Sequence, residues 1–171
     1  SPSMSIPTSA RHLSIRKALG NFGTGVTVVT TLGENGRKVG VTANSFNSVS
    51  LEPFIIVWSL LKTSPSLAAF DSCGRFVVNV LSVDQVALSR RFASPIADKF
   101  EGVSHRPGLE GLPILADCAS TFECETKQRI EVGDHILFLG EVQHFDFEPK
   151  PALLYYQGQY AQGVPLYLTT V

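Results

Sequence analysis

The run Phe54-Ile55-Ile56-Val57-Trp58-Ser59-Leu60 constrains this chain most. Pro53 bounds it on one side and Lys62-Thr63-Ser64-Pro65 on the other. Proline is tolerated as a strand's first residue but not in its middle, so the run reads as a strand that starts after Pro53. Its almost unbroken apolar character implies burial on both faces. Even extended through Leu61 it is far too short to cross a bilayer. Ser64-Pro65 reads as a helix start, with serine at the cap and proline at the first helical position. Upstream, Gly40 to Glu52 reads as a strand followed by a loop of small polar side chains with few charges. Such a surface suits a large flat ligand with polar edges and a phosphate tail.

The other elements are arranged around that stretch. Ile15, Leu19 and Phe22 fall on one face of a helix over Arg11 to Phe22, loosened and ended by Gly20, Gly23 and Gly25. Val26 to Leu32 is β-branched and reads as a strand. Asn35-Gly36 marks a hairpin turn, and Lys38 to Asn44 returns with Val39, Val41 and Ala43 alternating. Leu67, Ala68 and Phe70 give the next helix an apolar face, and Gly74 ends it. Phe76 to Leu81 reads as a buried strand. Ser82 and Gln85 form a capping box for a helix that runs to about Phe92 and must end before Pro95. Ala93 to Leu112 is a long irregular excursion, a kind of loop that is usually functional or disordered. Ile114 to Thr126 alternates as a half-buried antiparallel strand. Val132-Gly133-Asp134 is a turn, His135 to Phe147 a long strand and Ala152 to Tyr156 a short one. Gly158 to Val171 reads as irregular.

These make about seven strands at hairpin-like spacing with helices inserted between them. No βαβ alternation and no GxGxxG appears, which argues against a parallel nucleotide-binding sheet. The expectation is a mainly β (α+β) fold: an antiparallel Greek-key barrel with peripheral helices, in one domain spanning residues 1–171. With 44% hydrophobic residues the chain is not of the disordered class. A net charge of −1 leaves no electrostatic footprint for nucleic acid or an anionic membrane. Ser1 to Ser9 lacks the apolar core of a signal peptide and is expected to be disordered or partly an expression remnant. Cys73, Cys118 and Cys124 are an odd set without CxxC spacing. They read as buried small hydrophobes in a reducing compartment, and cytoplasmic residence is expected. No His/Asp/Glu spacing suggests a metal. There is no GxSxG and no pair of carboxylates placed for glycoside chemistry.

Thr24-Gly25-Val26-Thr27-Val28-Val29-Thr30, Val41-Thr42-Ala43-Asn44-Ser45-Phe46 and Ser48-Val49-Ser50-Leu51-Glu52-Pro53 occur in that order. Arg75-Phe76-Val77-Val78-Asn79-Val80-Leu81, Gly133-Asp134-His135 and Leu154-Tyr155-Tyr156 follow. In this the chain resembles the short-chain flavin reductases, the reductase components of two-component flavin monooxygenases, from about Ile15 to Tyr160. The resemblance implies an FMN-binding split barrel. It further implies an NAD(P)H:flavin oxidoreductase that uses FMN or FAD with NADH or NADPH, a homodimer with flavin near the subunit interface, and a separate monooxygenase that receives reduced flavin. Two rivals share the barrel. One is a non-catalytic flavin- or haem-binding electron carrier. The other is a pyridoxamine-phosphate-oxidase-like enzyme, for which more arginines around a substrate phosphate would be expected.

Four groups of residues are candidates for the site. Lys62, Thr63 and Ser64 precede a helix start, where free N–H groups and the helix dipole favour an anion. The bland reading is a cap and a solvated lysine, and the resemblance turns it toward the flavin's ribityl phosphate. Thr42, Ala43, Asn44 and Ser45 offer backbone donors and short side chains to the polar rim of a flavin. Asn44 and Ser45 bonding their own backbone would explain the loop equally well. His135 opens a strand after a Gly-Asp turn, and the resemblance places it near flavin and nicotinamide as the catalytic candidate. The alternative is a histidine donating to a turn carbonyl. Ser59 and Leu60 join the cofactor set by the resemblance. Arg91 and Tyr160 are rim candidates, although Arg91 and Phe92 also read as a last-turn arginine and a core phenylalanine.

Overall fold

The computed structural model describes residues 8–168, so most of the amino-terminal segment from Ser1 to Ser9 lies outside the described residues. A surface helix, α1 (Thr8–Gly20), comes first. None of its residues is buried; Ile15 and Leu19 are 44% and 67% exposed, and Phe22 beyond it is 75% exposed. The apolar face expected from the sequence is thus not used in the core: α1 shows no concentrated apolar face and buries none of its residues.

Strands β1 (Thr24–Gly25), β2 (Thr27–Leu32) and β3 (Lys38–Ala43) follow. The β2–β3 hairpin turns where Asn-Gly predicts it: Asn35 and Gly36 adopt φ 58 and 72, the left-handed conformation such a turn demands. Next come β4 (Asn47–Leu51) and β5 (Phe54–Leu61). β4 lies inside the expected polar loop; its pairing with β5, irregular between Ser48 and Ser50, makes it a strand despite its composition. β5 is not buried on both faces. Ile56, Trp58 and Leu60 point into the core while their neighbours are half-buried, so its apolar run serves one core face and one partly open face.

Helix α2 (Leu67–Cys73) starts later than Ser64-Pro65 suggests. The Ser64 amide closes a turn onto the Leu61 carbonyl at 3.0 Å, and the Ser64 hydroxyl accepts from the Ser66 amide at 3.2 Å. The turn takes up the Ser64 amide and one lone pair of its hydroxyl before the helix begins, leaving the O–H free to donate. Gly74 ends α2 with φ 71, as predicted. β6 (Arg75–Val80) leads to the capping box, where the Ser82 amide donates to Gln85 Oε1 at 2.9 Å, and then to α3 (Val86–Ala93). The long excursion contains β7 (His105–Pro107), which pairs with β8 (Pro113–Leu115). Asp117 at φ 64 divides the expected Ile114–Thr126 strand into β8 and β9 (Ser120–Val132). β10 (His135–Phe147) matches its expected bounds. β11 (Leu153–Tyr156) pairs with β12 (Gln159–Gln162), a strand inside the stretch read as irregular.

Every strand pair among the described residues is antiparallel, and the fold is mainly β. A seven-stranded sheet runs β3-β2-β6-β9-β10-β5-β4, and smaller sheets join β1-β11-β12 and β7-β8. Trp58 anchors one core cluster, with the rings of Phe70, Phe138 and Phe76 at 4.8, 5.1 and 5.7 Å between centroids. Val26, Val28, Leu81, Phe92, Phe100 and Leu153 form a second cluster beneath α3. Buried Asn79 ties the layers together, donating to the Val28 carbonyl and accepting from the Leu115 amide, each at 2.9 Å. No helix of the described residues is long and apolar enough to cross a membrane.

Candidate functional site

β3 is an edge strand, so half of its backbone groups have no strand partner. The Gly40 carbonyl points out of this open edge and accepts from Lys99 Nζ at 3.3 Å. Backbone direction alternates along a strand, so the amide and carbonyl of Thr42 lie on the same open edge. α3 packs across β3 with Phe92 against Gly40. The turn after β5 faces the same space, and His135 opens β10 directly beside Leu61.

Between these elements lies a groove of about 600 Å³. Thr42, Ala43, Asn44 and Ser45 form one wall, and Ser59, Leu60, Thr63 and Ser64 another. His135 lines it as well, and Ser94 and Lys99 follow α3 in its lining. The structure thus brings together most of the candidate residues from three distant parts of the chain.

Several of their polar groups are already engaged. The Thr42 hydroxyl donates to the Ser89 carbonyl at 2.7 Å and ties β3 to α3. The Ser45 hydroxyl donates to the Ser59 carbonyl at 3.2 Å and accepts from the Ser59 amide at 2.9 Å, which fixes the loop to β5. What these two present to the groove is small side-chain bulk and backbone, not free hydroxyls.

His135 is held from behind. Its Nδ1 lies 2.8 Å from Asp134 Oδ1, which puts the ring proton there and leaves Nε2 free. That hydrogen bond holds the Asp134 carboxyl below its ordinary 3.8. The Asp134 carbonyl in turn accepts the Lys62 amide at 3.0 Å.

Three candidates do not line the groove. Lys62 turns its ammonium onto Glu131, and that hydrogen bond holds the Glu131 carboxyl below its ordinary 4.5. Arg91 clamps the following loop, donating to the carbonyls of Lys99, Asp98 and Glu101 at 2.6, 3.0 and 3.1 Å. Tyr160 places its hydroxyl 2.8 Å from Ser89 Oγ, with the Arg90 guanidinium 5.4 Å above its ring.

Lys99 is the residue that the sequence reading missed. Its ammonium donates to the carbonyls of Gly40 and Phe92 at 3.3 and 3.0 Å, and burial lowers its pKa from the ordinary 10.5. Among the described residues it has no carboxylate partner. The only sequence signal was its place in the long excursion after α3. A second groove of about 600 Å³ lies between Ser82–Leu88 and the Gly102–Ser104 loop. Its lysine, Lys150, is neutralised by Glu148 at 3.2 Å and Asp117 at 3.7 Å. Of these two grooves, the first is therefore the one whose lysine has no carboxylate partner among the described residues.

The donor set suits a flavin. A volume of 600 Å³ falls within the range of roughly 300–1,000 Å³ usual for small-molecule sites. The walls are short side chains that admit a flat ring, the β3 edge offers backbone groups, and Thr63, Ser64 and Lys99 can meet a phosphate.

Residues 19–163 match the family model described as flavin reductase like domain. Over 147 residues the chain is 44% identical to a "Probable flavin reductase" of Rhizobium meliloti strain 1021, covering 86% of this chain and 47% of the relative. A nitrilotriacetate monooxygenase component B homologue from Mycobacterium thermoresistibile superposes with a TM-score of 0.88 at 33% identity, covering 95% of each chain. The NADH:FAD oxidoreductase of Streptomyces globisporus, solved with NAD and FAD fragments, gives 0.86 at 33% identity over 94% of this chain and 98% of that one. The chain spans 47%, 64% and 47% of the length of three of its curated relatives.

Proposed function

The chain belongs to the flavin reductase like family, and from that premise we propose that it is an NAD(P)H:flavin oxidoreductase with FMN or FAD in the groove between β3, β5 and α3. One observation carries this reading: a groove of flavin size that joins an open strand edge, a half-buried cation without a carboxylate partner and an oriented histidine. The bound flavin would supply the redox chemistry, accepting a hydride from reduced nicotinamide and passing the electrons on.

The protein's part is to hold and orient. Ala43 and Ser45 leave room for a ring against the backbone. The outward Thr42 amide, at the open edge of β3, offers a donor to a ring's polar rim. Thr63 and Ser64 offer hydroxyls, and Lys99 a charge, to the phosphate end. The short α2 helix is not needed for that anion. His135 lines the groove, and with its ring proton on Nδ1 its free Nε2 is an acceptor, turning donor only in the imidazolium form. Phe92 and Leu60 supply apolar floor that keeps water from the ring.

We further read the seven-stranded sheet as a split barrel within one domain. The assembly is a homodimer: Leu51, Phe145 and Phe147 stay 80%, 59% and 70% exposed around Phe54, whose ring lies 6.1 Å from that of Phe145. An apolar patch of this kind marks an interface. Three free cysteines favour the cytoplasm. A separate monooxygenase would receive the reduced flavin, as the component-B neighbour suggests.

The test is purified protein with FMN or FAD and either nicotinamide nucleotide, followed by loss of NADH or NADPH absorbance and by the flavin spectrum. Steady consumption is expected. Flavin binding without consumption would indicate an electron carrier instead, and neither would end the reading.

A further inference from the structure

The groove has a neighbour on the side of Lys99. Pro65, Ser66, Ser94, Pro95 and Lys99 border both it and an annex of about 260 Å³. The far wall of this annex is the β2–β3 hairpin, which contributes Arg37 and Lys38. No carboxylate lines it, and none of Arg37, Lys38 and Lys99 forms an ion pair among the described residues.

Two of these cations are held in place. Lys38 Nζ lies 2.7 Å from His105 Nε2, and His105 Nδ1 lies 2.7 Å from the Val103 carbonyl. A carbonyl can only accept, so the ring proton sits on Nδ1 and Nε2 accepts from the lysine. His105 is itself packed edge-on against Phe100 at 5.3 Å. Lys99 is held by the Gly40 and Phe92 carbonyls. Ammonium groups fixed by neutral acceptors, with no counter-charge, focus positive potential on the space between them. A mononucleotide whose phosphate ends at Thr63, Ser64 and Lys99 would leave this annex unused.

Resting on the flavin reading above, we infer that the Arg37–Lys38 annex receives the adenylate phosphates of a dinucleotide, so that the site is built for a ligand longer than FMN. FAD and reduced nicotinamide dinucleotides both carry that chemistry, and the experiment separates them.

The test uses the intact chain and the double variant Arg37→Gln/Lys38→Gln, both exposed positions. The first arm compares Kd for FAD with Kd for FMN. The second measures KM for NADH with FMN as acceptor. Loss of two charge-assisted contacts should raise one of these readings about tenfold or more, while FMN binding reports that the variant is folded. A raised FAD-to-FMN ratio assigns the annex to flavin, and a raised KM alone assigns it to the nicotinamide nucleotide. If neither moves while FMN still binds, the annex assignment is overturned and the flavin site stands. If the parent chain binds neither flavin, the flavin reading falls and takes the annex with it.

Discussion

Gly40 touches the ring of Phe92 so closely that a Cβ on Gly40 would lie 2.7 Å from Cε1 and 2.8 Å from Cδ1. Phe92 is 1% exposed, and its ring packs on Phe100 at 5.0 Å between centroids. The ring therefore has nowhere to retreat. Gly40 sets how near α3 comes to the edge of β3, and with it the width of the groove.

Gly40→Ala should accordingly force α3 outward. Overpacking of this kind costs about 1–3 kcal/mol. The expected outcome is a lower midpoint in urea unfolding together with weaker flavin binding, because the groove's floor and the Lys99 acceptor move together. Unchanged stability would mean that α3 is not seated on β3 as described.

On the function proposed above, two lysines exchange the roles that the sequence suggests. Lys62 sits beside the expected helix start, yet its ammonium is on Glu131 and outside the groove. Lys62→Glu should shift flavin Kd by no more than about twofold, as for an exposed charge. Lys99→Gln should weaken binding about tenfold, as loss of a charge-assisted contact does. Burial favours the neutral form of Lys99 and lowers its pKa from 10.5. An anion that needs the charged form should thus lose affinity as pH rises through that lowered value, before the ordinary lysine range. Fluorescence titration of flavin across alkaline pH, for the parent and both variants, checks the pair; a larger loss in the Lys62 variant would reverse the assignment.

That exchange shows what could be read from the chain. β2, β5, β6 and β10 were legible because β-branched or alternating runs report their own conformation. The Asn35-Gly36 turn and the Gly74 stop were legible because their left-handed backbone is local chemistry. β4 was not, since Asn47 to Leu51 is polar and becomes a strand only through pairing with β5. β12 depends on β11 in the same way. The walls of the site at Thr42–Ser45 and Thr63–Ser64 were legible through resemblance. Lys99 was not, because one of the carbonyls that hold it is far off in sequence: Gly40 reaches it only when β3 and α3 are packed.

The cysteines give a prediction independent of ligand. Cys118 and Cys124 are buried and Cys73 is half-buried. Burial pushes the Cys118 thiol up from 9.0 to about 11, and it pushes Cys124 higher still. A raised thiol pKa stabilises the fold below the unfolded value. That contribution is lost as pH rises from about 9 through 11. Stability should therefore fall over that alkaline range. Iodoacetamide at neutral pH should label Cys73 first, with Cys118 and Cys124 reacting only after unfolding. Intact-mass spectrometry counts the labels, and rapid modification of Cys124 in the native state would contradict its burial in the Trp58 cluster.

His135 is the last residue to test, and its geometry separates orientation from binding. Its backbone is fixed between Leu61 and Val132 by strand pairing, so removing the imidazole leaves the groove's frame intact. Asp134 holds Nδ1 and leaves Nε2 of this groove-lining ring without a protein partner among the described residues. One positioned polar group contributes at least about 10- to 100-fold to a proton-coupled or charge-developing step. His135→Ala should thus keep flavin Kd within about threefold and slow flavin reduction by that factor. Asp134→Asn should cost less, because its exposed side chain only orients the ring and strand pairing still places it. The measurement is stopped-flow bleaching of bound flavin at saturating NADH or NADPH, with Kd from a separate titration. A His135 variant that binds weakly but reduces at the parent rate would make the imidazole a binding contact. One unchanged in both would leave hydride transfer to orientation by the groove walls alone.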